Sequence, residues 1–180
     1  MPSNTPGDSA FTGGLSIVTT RTSRSRFQVT ALLIMMAPLC HTTVLKTRPL
    51  SRPQLTAMLG RMPFNDLLGL RVVRVYQDGI TMEMDVTPRV HNILGTLHGG
   101  ATATLIDAAV GVAIIGHFGG QRQTTTVDMK LNYLRPVAAG KVRARSRFIK
   151  MGKTLVVSSC EVKDAHGHLI ATALVTYMLI

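Results

Sequence analysis

From about Leu55 onward the chain alternates between two hydrophobic rhythms. Gly69–Tyr76 and Gly79–Val86 are β-rich runs joined by Gln77-Asp78-Gly79, turn chemistry at hairpin spacing. Gly99–Phe118 is one long stretch of small and apolar residues. Four further runs follow, Thr124–Leu134, Lys141–Lys150, Lys153–Lys163 and Leu169–Ile180, with Met151-Gly152 and Asp164–His168 as turns. Within Lys141–Lys150, Val142, Ala144, Ser146 and Phe148 alternate with Lys141, Arg143, Arg145 and Arg147. A period of two with one wet face is an antiparallel strand packed on one side. Two strands, one long helix and four more strands make an α+β domain, a sheet covering a central helix.

The length of Gly99–Phe118 also suits a membrane span. Asp107 falls inside it, however, and an ionised carboxylate is expensive at mid-bilayer. The flanking strands would also lack a core. A helix apolar on all sides equally serves as the buried axis of a sheet. The second reading is the expectation, and with it no stable membrane insertion.

Composition agrees with one domain and a tail: 180 residues, 46% apolar and 16% charged, with a mean hydropathy of +0.24. The net charge of +11 suits an anionic ligand, nucleic acid, an anionic membrane or an import signal, without choosing among them. Residues 1–53 divide from the rest. They carry Arg21, Arg24, Arg26, Lys46, Arg48 and Arg52 against the single acid Asp8, and are rich in Ser, Thr, Gly and Pro. Such a leader reads as a mitochondrial transit peptide, or equally as a disordered extension of a cytoplasmic protein, with Met58 an alternative start. Arg21–Arg26 before the apolar run Val29–Cys40 imitates a secretory signal, but the run is short and Pro38 interrupts it. The domain itself is expected over residues 54–180.

Asp107 is the most informative residue. A lone acid on a buried helix is costly unless paired, hydrogen-bonded or neutral, and acids kept in such places are often functional. Desolvation would push it toward general-base range; the bland alternative is a structural acid satisfied by a hydroxyl such as Thr104. Just upstream, His98-Gly99-Gly100 opens the helix after the loop Asn92–Leu97. N–H groups at a helix start are unpaired and lie at the positive dipole end, and glycines allow a substrate carbonyl close approach. Such donors stabilise the oxyanion of acyl transfer. Asp107 lies nine residues beyond His98, roughly 13 Å of helical rise, too far for both to reach one small group within one chain. A second chain, or a substrate lying along the helix, is required.

Asn92-x5-His98-Gly99-Gly100, followed by Asp107 in Ala-Thr-Leu-Ile-Asp, resembles the hotdog-fold acyl-CoA thioesterases of the phenylacetyl-CoA thioesterase type. Thr126-Val127-Asp128-Met129, Asn132-Tyr133-Leu134-Arg135-Pro136 and Lys150-Met151-Gly152-Lys153-Thr154-Leu155 continue the resemblance over about Met62–Ile180. It implies a hotdog fold, with five to six antiparallel strands wrapped around one helix. It also implies homodimers, or dimers of dimers, with active sites between chains, no cofactor, and hydrolysis of fatty or aromatic acyl-CoA. Carried over residue by residue, Asn92 and the N–H of Gly100 or Gly99 would hold the thioester carbonyl, with His98 shaping that pocket. Asp107 of the other chain would be general base or nucleophile. Thr126 stands where relatives often place a water-positioning serine, with Thr125 as the alternative by one residue of register.

In that light Arg89, Arg135, Lys150 and Lys153 are candidates for the coenzyme A phosphates. Asp128, Tyr133, Pro136, Gly152 and Thr154 belong to the same implied binding set. Arg143, Arg145 and Arg147 read as a solvated strand face. With eight aromatics, no Trp and no reading motif, nucleic acid ranks low. No metal is expected: His166-Gly-His168 lies in a turn without a third ligand at matching spacing, and His117 suits the helix C-terminus. Cys40 and Cys160 suggest no disulfide framework, and Cys160 reads as a small apolar strand residue. A non-catalytic acyl-binding or scaffold module on the same fold is the rival from another class. A dehydratase is a third reading.

Overall fold

The computed structural model describes residues 48–180; the run Val29–Cys40 and the expected import segment up to residue 47 lie outside the described residues. The chain forms α1 (Arg52–Leu59), α2 (Pro63–Leu67), β1 (Arg71–Tyr76), β2 (Gly79–Val86), a 3-10 turn (Pro88–Val90), α3 (Gly99–His117), β3 (Thr124–Tyr133), β4 (Gly140–Met151), β5 (Leu155–Asp164) and β6 (Leu169–Leu179). One six-stranded sheet runs β1-β2-β4-β5-β6-β3, every neighbour antiparallel. This is the hotdog arrangement, with α3 as the filling.

The alternation in β4 does what its period requires. Val142, Ala144 and Ser146 are buried while Lys141, Arg143 and Arg147 face out. On α3, Leu105, Ile106, Val110 and Ile114 are fully buried, each stabilising the fold by about 2 kcal/mol. The length that would let α3 cross a bilayer is therefore covered by the protein's own sheet. Ser146 accounts for the polar residue on the inner face. Its hydroxyl accepts from the Ile80 N–H at 3.1 Å and lies 3.0 Å from the Ala109 carbonyl, to which it donates. This bond ties the middle of α3, two residues past Asp107, to β2 and β4.

The boundary expected between residues 53 and 54 falls inside α1. The Gln54 side chain accepts from the Ser51 N–H and hydroxyl at 2.9 and 2.8 Å, which starts the helix at Arg52. The Leu50 N–H donates to the Gly116 carbonyl at 2.8 Å, and Leu55 is fully buried beside Gly116. The docked structure thus reaches back at least to Leu50. In the sequence this stretch reads as leader because a single anchored turn is too short to show a period.

Candidate active site

β3 runs back along α3 and fixes it at two points. At one, the Thr126 hydroxyl donates to Asp107 Oδ1 at 2.9 Å. At the other, the Tyr133 hydroxyl donates to the Gly99 carbonyl at 2.9 Å. Of Thr125 and Thr126, it is Thr126 whose hydroxyl reaches Asp107, and a β-bulge follows it. Thr126 pairs with Tyr177 and Asp128 with Thr176, so Val127 is the extra residue and the strand is re-aimed just beyond Thr126.

Asp107 is half-buried rather than fully enclosed. Thr104, the hydroxyl expected to satisfy it, donates instead to the Gly100 carbonyl at 2.9 Å. A residue that the sequence reading missed takes that place. The Tyr177 hydroxyl lies 2.7 Å from Asp107 Oδ1 and 2.9 Å from the Asp107 carbonyl. Burial, and after it the neighbouring Asp107 carboxylate, push the Tyr177 phenol above its ordinary range, so it stays a donor. Oδ2 has no protein partner among the described residues. Asp107 lines a cavity of about 550 Å³ whose other walls include Met62, Phe64, Ala108, Val112 and Met129. A carboxylate oxygen without a protein partner therefore belongs to a side chain on the wall of an apolar cleft.

The helix start departs from expectation. The Gly100 N–H, expected as an oxyanion donor, is taken by His98 Nδ1 at 2.9 Å. A side chain at position 100 would sit 3.0 Å from that nitrogen, and one at 99 would sit 3.3 Å from the Tyr133 ring. Both glycines leave room that the protein's own groups, the His98 ring and Tyr133, occupy closely. Because Nδ1 accepts, the His98 ring proton is on Nε2. The Gly99 N–H has no partner among the described residues. The Gly99 N–H and the His98 Nε2–H are thus unengaged donors at this end among the described residues. Asn92 spends its side chain locally: Oδ1 accepts from the Leu94 and Thr96 N–H groups at 2.9 and 3.2 Å, closing the loop that carries the chain into α3.

The implied coenzyme A set divides into two groups. Arg89 shares a cavity of about 390 Å³ with His98 and Gly100, and Tyr133, Arg135 and Pro136 share another of about 400 Å³ with Asn92 and Gly99. Lys150, Gly152, Lys153 and Thr154 lie at the opposite end of α3. There the Leu179 N–H donates to the Thr154 carbonyl at 2.8 Å, and Ile180 bonds Gln123, where the chain enters β3. One protomer does not bring the two groups together, because β4 and β5 span the full length of the helix between them. Asp128 is exposed on β3.

Other expectations resolve simply. Asp164 accepts from the His166 and His168 N–H groups at 2.9 Å each, so that turn is organised by a carboxylate. Cys160 is buried, and burial pushes its thiol up to about 12. Arg143, Arg145 and Arg147 lie on the outer sheet face and pair with Glu83, Asp78 and Glu161.

The fold and this site define a class, and comparison with known proteins gives it a family. The Thioesterase superfamily model matches residues 94–171. The chain is 33% identical over 123 residues to acyl-coenzyme A thioesterase 13 of Homo sapiens, covering 67% of this chain and 87% of that one. It is 26% identical over 133 residues to the medium/long-chain acyl-CoA thioesterase YigI of Escherichia coli, covering 66% and 86%. Among solved structures, zebra fish thioesterase superfamily member 2 superposes with a TM-score of 0.67 at 27% identity, covering 73% of this chain and 99% of that one. Its counterpart from Mus musculus gives 0.64 at 29%, covering 71% and 96%. The chain belongs to the thioesterase superfamily.

Proposed function

We propose that the protein hydrolyses acyl-CoA thioesters, releasing a fatty or aromatic acid and coenzyme A. The observation that carries this reading is Asp107, held through one oxygen by hydroxyl donors with the other oxygen unpartnered beside an apolar cleft. The names of the two curated relatives supply the substrate class. Water adds to the thioester carbon as Oδ2 removes its proton, and the carbonyl oxygen becomes an oxyanion. The Gly99 N–H and His98 Nε2–H are suited to hold that oxyanion. Collapse breaks the carbon–sulfur bond, and the coenzyme A thiolate takes the proton back from Asp107. Direct attack by the same oxygen would give an anhydride that water then opens.

The site requires a second copy of the chain. His98 and Asp107 are separated by roughly 13 Å of helix, and the two groups of candidate phosphate ligands lie at its two ends. An isologous pairing sets each His98 end beside the other chain's Asp107 and joins the Arg89–Arg135 group to the Lys150–Lys153 turn. β3 is one of the two edge strands of the sheet, the other being β1, and Val127, Tyr133 and Leu134 are exposed along and just beyond β3 at 56%, 57% and 53%. An unpaired edge carrying apolar side chains suits a partner strand.

Thiol release from short, medium, long and aromatic acyl-CoAs tests the activity, and binding without turnover across that panel would favour the non-catalytic module. Mixing Asp107→Asn with Asn92→Ala, which dismantles the turn before His98, tests the dimer. Random exchange should restore about a quarter of wild-type activity, half the dimers being mixed and half their sites intact. No recovery despite demonstrated exchange would place each site within one chain. The basic, Ser/Thr-rich leader supports mitochondrial import. A C-terminally tagged full chain that stays cytosolic and uncut would reject it.

A further inference from the structure

We propose that Tyr177 is a positioning residue that locks the Asp107 carboxylate in one rotamer, leaving Oδ2 as the reacting oxygen, and that Gly111 is the cradle its hydroxyl requires. The inference rests on the reading of Asp107 as base or nucleophile. Tyr177 lies on β6, 5% exposed, directly across from Thr126 on β3. The two hydroxyls meet the same carboxylate oxygen, at 2.7 and 2.9 Å. An ionised carboxylate oxygen has two lone-pair sites, so Oδ1 is saturated and rotation about the side chain would break both bonds. The Asp107 carbonyl lies 2.9 Å from the same hydroxyl, so the single phenol proton faces the carboxylate and the backbone of one residue.

Gly111 is one helical turn beyond Asp107. A Cβ there would lie 2.7 Å from the Tyr177 hydroxyl oxygen and 3.2 Å from the ring carbon bearing it. Glycine is the weakest helix former after proline, and α3 carries it at a buried position where alanine would otherwise be better. Space for the phenol explains that choice. The bulge at Val127 completes the unit by aiming Thr126 at the oxygen that Tyr177 already holds.

The test compares Tyr177→Phe, which keeps the ring and loses only the hydroxyl, with Gly111→Ala, which keeps the hydroxyl and displaces it. Each should lower kcat about 10-fold with KM within about twofold, since the lost bond orients a reacting group rather than substrate. The double variant should be no slower than about the worse single, because both remove one contact. In an Asp107→Asn background, Tyr177→Phe should leave the residual rate unchanged. Wild-type kcat in folded Tyr177→Phe, or in Gly111→Ala if the former does not fold, would overturn the proposal. So would a full additional loss in the Asp107→Asn background, which would show that Tyr177 acts by another route. An Asp107→Asn enzyme with wild-type turnover would instead remove the catalytic reading, and this inference with it.

Discussion

Two carboxylates, Glu83 on the outer face of the sheet and Asp107 on the central helix, are held in opposite ways. Glu83 is 6% exposed on β2 with cations on both oxygens: Arg71 and Lys141 on Oε1 at 3.2 and 3.1 Å, Arg143 on Oε2 at 2.8 Å. Burial alone would raise its pKa; the hydrogen bonds from Arg143, Lys141 and Arg71 outweigh it and hold the carboxyl at about 2. Such a group is locked in its charge and presents no oxygen to a ligand. Asp107 receives only hydroxyl donors, both on one oxygen, and lines the 550 Å³ cleft. Saturation by cations marks an acid that holds the sheet together. Restraint by uncharged donors on one side marks an acid available for chemistry.

The largest effect expected from this contrast is at Asp107. Asp107→Asn keeps the shape and both hydroxyl bonds but cannot accept a proton. Hydrolysis should fall by about 10²–10⁴-fold, or more if the carboxylate attacks directly, with the thermal midpoint little changed. Near-wild-type turnover in the folded variant would erase the distinction between the two acids.

A smaller effect is expected at the donors. Thr126→Ala removes one of the two hydroxyls on Oδ1, and kcat should drop about 10-fold with a lesser rise in KM. Thr125→Ala should do little. Its hydroxyl makes no hydrogen bond among the described residues, although Thr125 also lines the cleft. If the losses fall on Thr125 instead, the bulge at Val127 is misplaced by one residue and the carboxylate is held differently.

Much of this contrast was legible in the sequence, and the remainder was not for definite reasons. The six strands and α3 follow from period two against an unbroken apolar run, and the hairpin at Asp78-Gly79 from turn chemistry. Asp107 stands out because it is the one charge in that run. Glu83 does not, since an acid in an alternating strand looks solvated until Arg71 and Arg143 arrive from neighbouring strands. Tyr177 was invisible for a similar reason. It is 70 residues from Asp107, and an aromatic in a strand pattern reads as core. The glycines of His98-Gly99-Gly100 mark the right place, but Tyr133 reaches Gly99 from 34 residues away, a tertiary contact no local pattern encodes, and the His98 ring takes the Gly100 N–H as a local N-cap.

The smallest catalytic effect belongs to Glu83, and it completes the comparison. Glu83→Gln removes the charge on which Arg71, Lys141 and Arg143 converge, leaving Asp85 as the acid near them, 2.9 Å from Arg71 and 3.8 Å from Lys141. Turnover should stay within about twofold, because nothing in the cleft touches Glu83. Stability should fall by about 2 kcal/mol, a value discounted because the three cations are about half exposed, and the thermal midpoint by about 5 °C. The pH dependence carries a definite sign. The folded pKa, about 2, lies below the ordinary 4.5, so the unfolded chain binds the proton first. The contribution of Glu83 is complete above about pH 4.5 and is lost as pH falls from there toward about 2. Urea unfolding at pH 7 and at pH 3 should therefore show a wider gap between wild type and Glu83→Gln at pH 7 than at pH 3. An equal gap at both values would mean that the ion cluster contributes nothing specific. A gap accompanied by a parallel loss of kcat would mean that Glu83 reaches the active site after all.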